Sequence, residues 1–210
     1  MLHVGLTGNI ASGKTNARRV FTELGAHPID ADEIAHDLLA PMGEVYQKVV
    51  ENFGEGIVDE DGTINRKKLG SIVFGDCEKR QLLNSLVHPA VRAEVQRRIT
   101  ALESAHAAGV IIIDAALMVE TGSYRNYDKL VVVYCEPALQ LDRLLRRGGL
   151  TLEEAKARIT SQMPVEEKLK VADYRVDTSG TFGQTREQIE TIYRDLVLYE
   201  IAQRGSAGAP

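Results

Sequence analysis

Residues Gly8-Asn9-Ile10-Ala11-Ser12-Gly13-Lys14-Thr15 constrain this chain more than any other stretch. They fit G-x-x-x-x-G-K-[ST] at every fixed position. Before them, Leu2, Val4 and Leu6 form a short apolar run that suits a buried strand. After them, Ala17, Val20, Phe21 and Leu24 fall at i, i+3, i+4 and i+7, one face of a helix. Strand, glycine turn and helix in this order are the context of a phosphate-binding loop. Gly8 and Gly13 let the backbone turn its amides inward. The start of the helix favours an anion. Lys14 brings a point charge to the outer phosphates, and the Thr15 hydroxyl suits Mg²⁺. The competing reading, a strand–helix turn with no ligand, explains neither the lysine nor the hydroxyl beside it.

The chain then alternates between strand and helix. Gly25 ends the first helix. Ala26 to Ile29 read as a second strand running into Asp30-Ala31-Asp32. Ligands of open parallel sheets lie beyond the carboxyl ends of the strands, so two carboxylates at such an end face a phosphate site. Asp32 also fits as the N-cap of a helix from Glu33 to Leu39, and the two roles are compatible. Pro41 to Ala108 is helical in pattern, an insertion of about 70 residues that suits an acceptor-binding lobe. Val45, Val49 and Phe53 share one face, and Arg66 to Phe74 and Lys79 to Val87 form two more short helices. His88-Pro89 then opens a long one with Val91, Val95, Ile99 and Leu102 on a stripe. His88 and Arg92 lie one turn apart; His88 fits a capping or packing role as well as a ligand role. Asp59 to Thr63 mimics a calcium loop, but Gly62 sits at the fourth position and the chelating Glu is missing.

Val110-Ile111-Ile112-Ile113-Asp114 is a β-branched run closing on an acid, the pattern of a central strand that delivers a carboxylate beside bound phosphates. Leu130 to Cys135 and Tyr174 to Asp177 read as further strands. On the helix from Ala138 to Arg147, Leu141, Leu144 and Leu145 face inward, while Arg143 and Arg147 share another face. Gly148-Gly149 breaks that helix, and Thr151-x-x-Glu154 opens the next with a capping box; there Arg158 and Gln162 again lie one turn apart. Helix, glycines and helix with several arginines fit a hinged lid over a polyphosphate, or a solvated hairpin; the phosphate loop favours the lid. A final helix starts near Gly183, with Thr185-x-x-Gln188 as a second capping box.

Composition adds limits. The 210 residues are 44% hydrophobic, enough for one core and a smaller lobe. A net charge of −5 gives no global pull toward nucleic acid or an anionic membrane, yet leaves room for a local phosphate site. Cys77 and Cys135 have no metal spacing and fit reduced thiols of a cytoplasmic protein. No secretory or membrane-spanning pattern stands out. The sequence carries no signal of oligomeric state; a monomer is slightly favoured, and 205–210 read as a flexible tail.

The segments LTGNIASGKT, IDADEIAH, HPAVR, IIIDAALMVE and RLLRRGGLTLEEAKARITSQMPVEEKLKVADYRVDTSG, in order from Leu2 to Gly180, resemble the dephospho-coenzyme A kinase family. The resemblance implies an α/β fold of the P-loop kinase type: three layers, a parallel five-stranded sheet, a helical acceptor-binding insertion and a helical lid. It implies a nucleotide-binding core of 1–32, 109–137 and 172–204, a CoA-binding lobe of 33–108 and a lid of 138–171. The implied reaction is ATP-dependent phosphorylation of the ribose 3′-hydroxyl of dephospho-CoA, the last step of CoA synthesis, with Mg²⁺. By matching position, Gly8 and Ala11, Ser12, Gly13, Lys14, Thr15 and Asn16 would hold ATP together with Arg147. Asp32 would be the base, and Lys14 and Arg143 would act on the transferring phosphoryl. Thr7, Asp32, His88, Arg92 and Asp114 would meet the acceptor, and Thr15 and Asp114 would serve the metal, Asp114 through water.

There are departures from the family pattern. The family usually has Gly where Asn9 and Ala11 stand, Pro at Ala116, Asp at Gly148 and Asn at Thr178. Three rivals share the loop: a kinase of another small acceptor such as a nucleoside monophosphate, a nucleotide switch, and a binding module without transfer chemistry. The chain has no Asn-Lys-x-Asp segment for guanine and carries its lid arginines in cis, which speaks against the switch.

Overall fold

The structure, a computed structural model, describes residues 1–207, apart from the side chains of Phe74, Ser206 and Ala207. In chain order the elements are β1 (Leu2–Gly8), α1 (Lys14–Glu23), β2 (His27–Asp30), α2 (Ala31–Leu38), α3 (Tyr46–Phe53), α4 (Arg66–Phe74) and α5 (Cys77–Ala105). There follow β3 (Val110–Asp114), β4 (Lys129–Tyr134), α6 (Pro137–Arg146), α7 (Leu152–Thr160), α8 (Val165–Lys170), β5 (Tyr174–Asp177) and α9 (Phe182–Ala207). The chain forms two compact units, one from 1–29 and 102 onward, the other from 30–101.

The first unit is built on a five-stranded parallel sheet of order β2-β3-β1-β4-β5. Two of its three middle strands, β3 and β4, are largely apolar runs because helices on both faces of a parallel sheet leave no solvated side; all five residues of β3 are buried. Register places Leu6 of β1 beside Asp114 of β3, and Gly8 beside Val133 of β4. Ala17, Val20 and Phe21 of α1 pack with Ile189, Ile192 and Leu196 of α9 on Leu2, Val4, Leu6, Val131 and Val133. Each such aliphatic or Phe side chain contributes about 1.5–3 kcal/mol by leaving water. The β1–α1 turn therefore hangs on the most buried part of the molecule.

The arginine-bearing segment belongs to this unit. Leu144 and Ala155, from α6 and α7, close a small core on Ala11, with Ile10, Leu141, Leu145, Leu150 and Ile159 at its edge. The phosphate loop is thus part of that segment's core. Gly148 and Gly149 turn the chain between α6 and α7 with φ of 75° and 79°, values that favour glycine. The capping box at Thr151 and Glu154 is present.

The second unit is helical. Val45, Val49, Ile57, Ile64, Leu69 and Val87 form its buried cluster. Asp59–Thr63 is the exposed turn expected, closed by Asp59 N–H donating to the Thr63 carbonyl at 2.9 Å.

Several boundaries differ from expectation. Asp30, not Asp32, caps α2: its Oδ1 accepts from the N–H groups of Asp32 and Glu33 at 3.0 Å each. His88-Pro89 does not open a new helix; α5 runs 29 residues with Pro89 inside. Pro89 forfeits one ladder bond, and the buried Val87, Val95 and Ile99 hold the helix together across it. The last helix is capped four residues earlier than Thr185 and Gln188, by Thr181 and Gln184, each side chain bonded to the other's backbone N–H. Gln188 and Thr185 instead bond the backbone of Asp177. Gly205 to Ala207, expected in a loose tail, continue α9; 208–210 lie outside the described residues. Among the described residues, no helix is long and apolar enough to cross a membrane.

Candidate active site

The loop leaves β1 at Gly8 and enters α1 after Gly13. A Cβ at Gly8 would lie 2.4 Å from the Val133 carbonyl oxygen and 2.7 Å from Ser12 Oγ, so only glycine fits. Gly13 takes φ 90° as the N-cap of α1, and a Cβ there would press on Thr178 at 3.2 Å. The first-turn amides of a helix have no intrahelical acceptor and carry its positive end. Here those amides belong to the loop itself. Ser12 Oγ is buried beneath it with no hydrogen-bond partner among the described residues. Ala11 stands in the left-handed region at φ 59°, where the family's usual glycine would be relaxed.

Two flanks meet at this loop. On one, the Asp114 carboxylate ends β3 almost wholly buried. Lys14 Nζ lies 2.5 Å from its Oδ1, and Arg18 Nη1 lies 3.6 Å from its Oδ2. Thr7, fully buried, donates to the Ala116 carbonyl at 3.1 Å; its hydroxyl ties β1 to the chain beyond β3 and is closed to a substrate. On the other flank, Arg143 donates to Thr178 Oγ1 at 2.9 Å and to the Thr178 carbonyl at 2.7 Å. Thr178 Oγ1 also donates to the Ser12 carbonyl at 2.7 Å, a loop contact that does not depend on the family's asparagine. Between Ala11, Gly13 and Asn16 and the arginines 143, 146 and 147 lies a cleft of about 400 Å³, with Gly180 and Phe182 on its rim.

The loop is also bonded to the segment expected to be a lid. Gln162 Oε1 accepts the Ile10 N–H at 2.7 Å, and Gln140 Nε2 donates to the Ile10 carbonyl at 2.8 Å. Asn9 Nδ2 donates to the Met163 carbonyl at 3.0 Å, so the residue in place of a glycine adds a tie of its own. The segment is therefore fastened to the loop from α6 and from the turn after α7.

Of the residues singled out from sequence, Gly8, Ala11, Ser12, Gly13, Lys14, Thr15, Asn16, Asp114, Arg143 and Arg147 belong to the sheet unit. Ala11, Gly13, Asn16, Arg143 and Arg147 line the cleft. Asp32, His88 and Arg92 belong to the helical unit. Asp32 is exposed in the first turn of α2. His88 is partly buried, and that burial, with the Arg92 charge next, holds its imidazole below the usual pKa. Arg146 in the cleft was missed, although it lies one turn from Arg143; Gly180 and Phe182 gave no local signal. Cys77 is exposed and Cys135 buried, both free thiols; burial pushes the Cys135 thiol up and keeps it inert.

Residues 2–184 match the family described as dephospho-CoA kinase. The chain belongs to the dephospho-CoA kinase family. It is 48% identical over 191 residues to the dephospho-CoA kinase of Carboxydothermus hydrogenoformans, covering 90% of this chain and 91% of the relative. Among solved structures, dephospho-CoA kinase from Campylobacter jejuni superposes with a TM-score of 0.68 at 31% identity, over 93% of this chain and 96% of that one. TT1252 from Thermus thermophilus superposes with a TM-score of 0.79 at 26% identity, over 93% and 97%. As a member of that family the chain is a phosphotransferase of the last step of coenzyme A synthesis.

Proposed function

We propose that Lys14, Arg143 and Asp32 carry the transfer of the γ-phosphoryl of ATP to the ribose 3′-hydroxyl of dephospho-CoA. One observation supports this most: a lysine and an arginine converge on a single glycine loop, each already fixed by a second partner. Phosphoryl transfer leaves little covalent work for a protein, so positioning and charge neutralisation dominate. The loop amides of Ala11 to Asn16 hold the phosphate chain, and Arg147 holds it from the cleft. Lys14 and Arg143 bear on the γ-phosphoryl from opposite flanks and draw charge off it as the bond to the leaving oxygen breaks.

Asp32 follows the end of β2 in sequence and is exposed. In this reading it accepts the proton of the 3′-hydroxyl while that oxygen forms the new bond to phosphorus. His88 and Arg92 hold the acceptor. Thr15 and Asp114 offer the oxygen donors that a hard cation such as Mg²⁺ takes beside substrate phosphates. When bound, that ion neutralises phosphate charge. Two free cysteines fit a reducing, cytoplasmic setting.

The test is ADP release with and without dephospho-CoA, in the parent and in Asp32→Asn. ADP should appear only with the acceptor. The variant should lose kcat by about 10²–10⁴-fold, the worth of a positioned base, while ATP affinity holds. Turnover within a few-fold of the parent would remove Asp32 from the mechanism.

A further inference from the structure

Lys168 is fully buried, and nothing in the reaction calls for it. It projects from α8, the short helix that follows the arginine-bearing segment. Its Nζ donates to the Ala116 carbonyl at 3.0 Å and lies 2.8 Å from Glu120 Oε1. A buried ion pair is a poor stabiliser, because desolvating both charges consumes much of their attraction. What such a pair supplies is a fixed point, and this one falls two residues past Asp114. Ala116 stands where the family usually has proline, so the turn lacks that residue's stiffness. Its carbonyl is instead gripped from two sides, by Thr7 Oγ1 and by Lys168, and Ala115 N–H donates to the Leu6 carbonyl at 3.1 Å.

We propose that Lys168 is a positioning residue: held by Glu120, it pins the Ala116 carbonyl and so sets the chain leaving β3, which fixes the Asp114 carboxylate against Lys14. The inference rests on the role given above to Lys14 and Asp114. It also ties α8 to the floor of the site. Lys168 touches no reacting atom. Releasing it lets the 114–120 segment drift, and a misplacement near 1 Å costs on the order of a hundredfold in rate when reacting groups need alignment.

Lys168→Met alone strands the Glu120 carboxylate and endangers folding, so the informative protein is Lys168→Met with Glu120→Leu, which removes both charges. The double variant should melt close to the parent. Its kcat should fall by about tenfold or more, with both KM values within about twofold, since the loop amides still bind ATP. A merely structural role would leave kcat per folded molecule untouched. A folded double variant with the parent's kcat overturns the proposal, and so does a loss shared equally by kcat and both KM values. Should the double variant melt below the assay temperature, Thr7→Val removes another donor to the Ala116 carbonyl and leaves Lys168 and Glu120 in place. It should lower kcat a few-fold at constant KM, and an unchanged kcat overturns the proposal. Asp114→Asn, measured alongside, separates the two claims: if silent, it sinks the role of Asp114 itself; if crippled beside an active double variant, it sinks only that of Lys168.

Discussion

The two flanks of the phosphate loop differ in how much is settled before a nucleotide arrives. On the Asp114 flank, polar groups sit in largely buried contacts: the charged pairs Lys14 on Asp114 and Lys168 on Glu120, and the neutral bond of Thr7 to Ala116. On the Arg143 flank, Arg143 is bonded to Thr178, Arg146 pairs with Asp142 on the exposed face of its own helix, and both Arg146 and Arg147 are exposed beside an open cleft. Preorganised charge acts on a transition state without reorganising. Exposed charge mainly attracts and holds, and salt screens it. The Asp114 flank should therefore govern the chemical step, and the outer arginines nucleotide capture.

The hardest test of that division is Lys14→Met. It removes a charge meant for the γ-phosphoryl, and it takes from the buried Asp114 carboxylate its near ammonium, with Arg18 Nη1 3.6 Å away. We expect kcat to fall by about 10²–10³-fold, as when one preset donor is deleted. Stability should fall by up to about 3–5 kcal/mol, the scale for breaking a buried pair, in a denaturant titration. A variant that keeps kcat within tenfold would mean that charge on this flank is not what drives transfer.

The opposite flank is probed by Arg147→Ala. Its guanidinium is exposed, so the expected loss is a several-fold rise in the KM for ATP at constant kcat, the mark of uniform binding. The KM of the parent should climb with added salt, because exposed charges more than a Debye length of about 8 Å apart are screened at physiological ionic strength. The variant should climb less steeply. Equal salt slopes would show that the outer arginines do not gather the nucleotide, and a drop in kcat would erase the contrast between the flanks.

Much of this arrangement is legible in the sequence because its signals are local. The loop, β3 and β5 each occupy one short window, and the structure returns β3 and β5 at the bounds read from pattern. Where two local signals overlap, packing decides. Thr181-x-x-Gln184 and Thr185-x-x-Gln188 both spell a capping box, and the second is spent on Asp177 instead. Pro89 signals a helix start, yet buried neighbours carry α5 through it. Long-range contacts leave no such trace. Nothing near Lys168 announces Glu120 or Ala116, and nothing near Gln162 announces Ile10. The glycines of the segment expected to be a lid are visible in the sequence, and its bonds to the loop are not.

Ala11 joins the two flanks and gives the mildest test. It holds φ 59° where a non-glycine residue is strained by roughly 1–2 kcal/mol, and Ala11→Gly relieves that. The same change deletes a methyl that is only 4% exposed against Leu144 and Ala155, worth about 0.8 kcal/mol, and adds unfolded-chain entropy of about 0.5–1 kcal/mol. The terms nearly cancel, so stability should move by less than about 1 kcal/mol. Function should not cancel in the same way. Loosening the contact between loop and α6–α7 removes apolar glue from the arginine flank and leaves the Asp114 flank alone, so the KM for ATP should rise slightly with kcat intact. If kcat falls instead, the loop transmits strain from one flank to the other, and the two act as a single device.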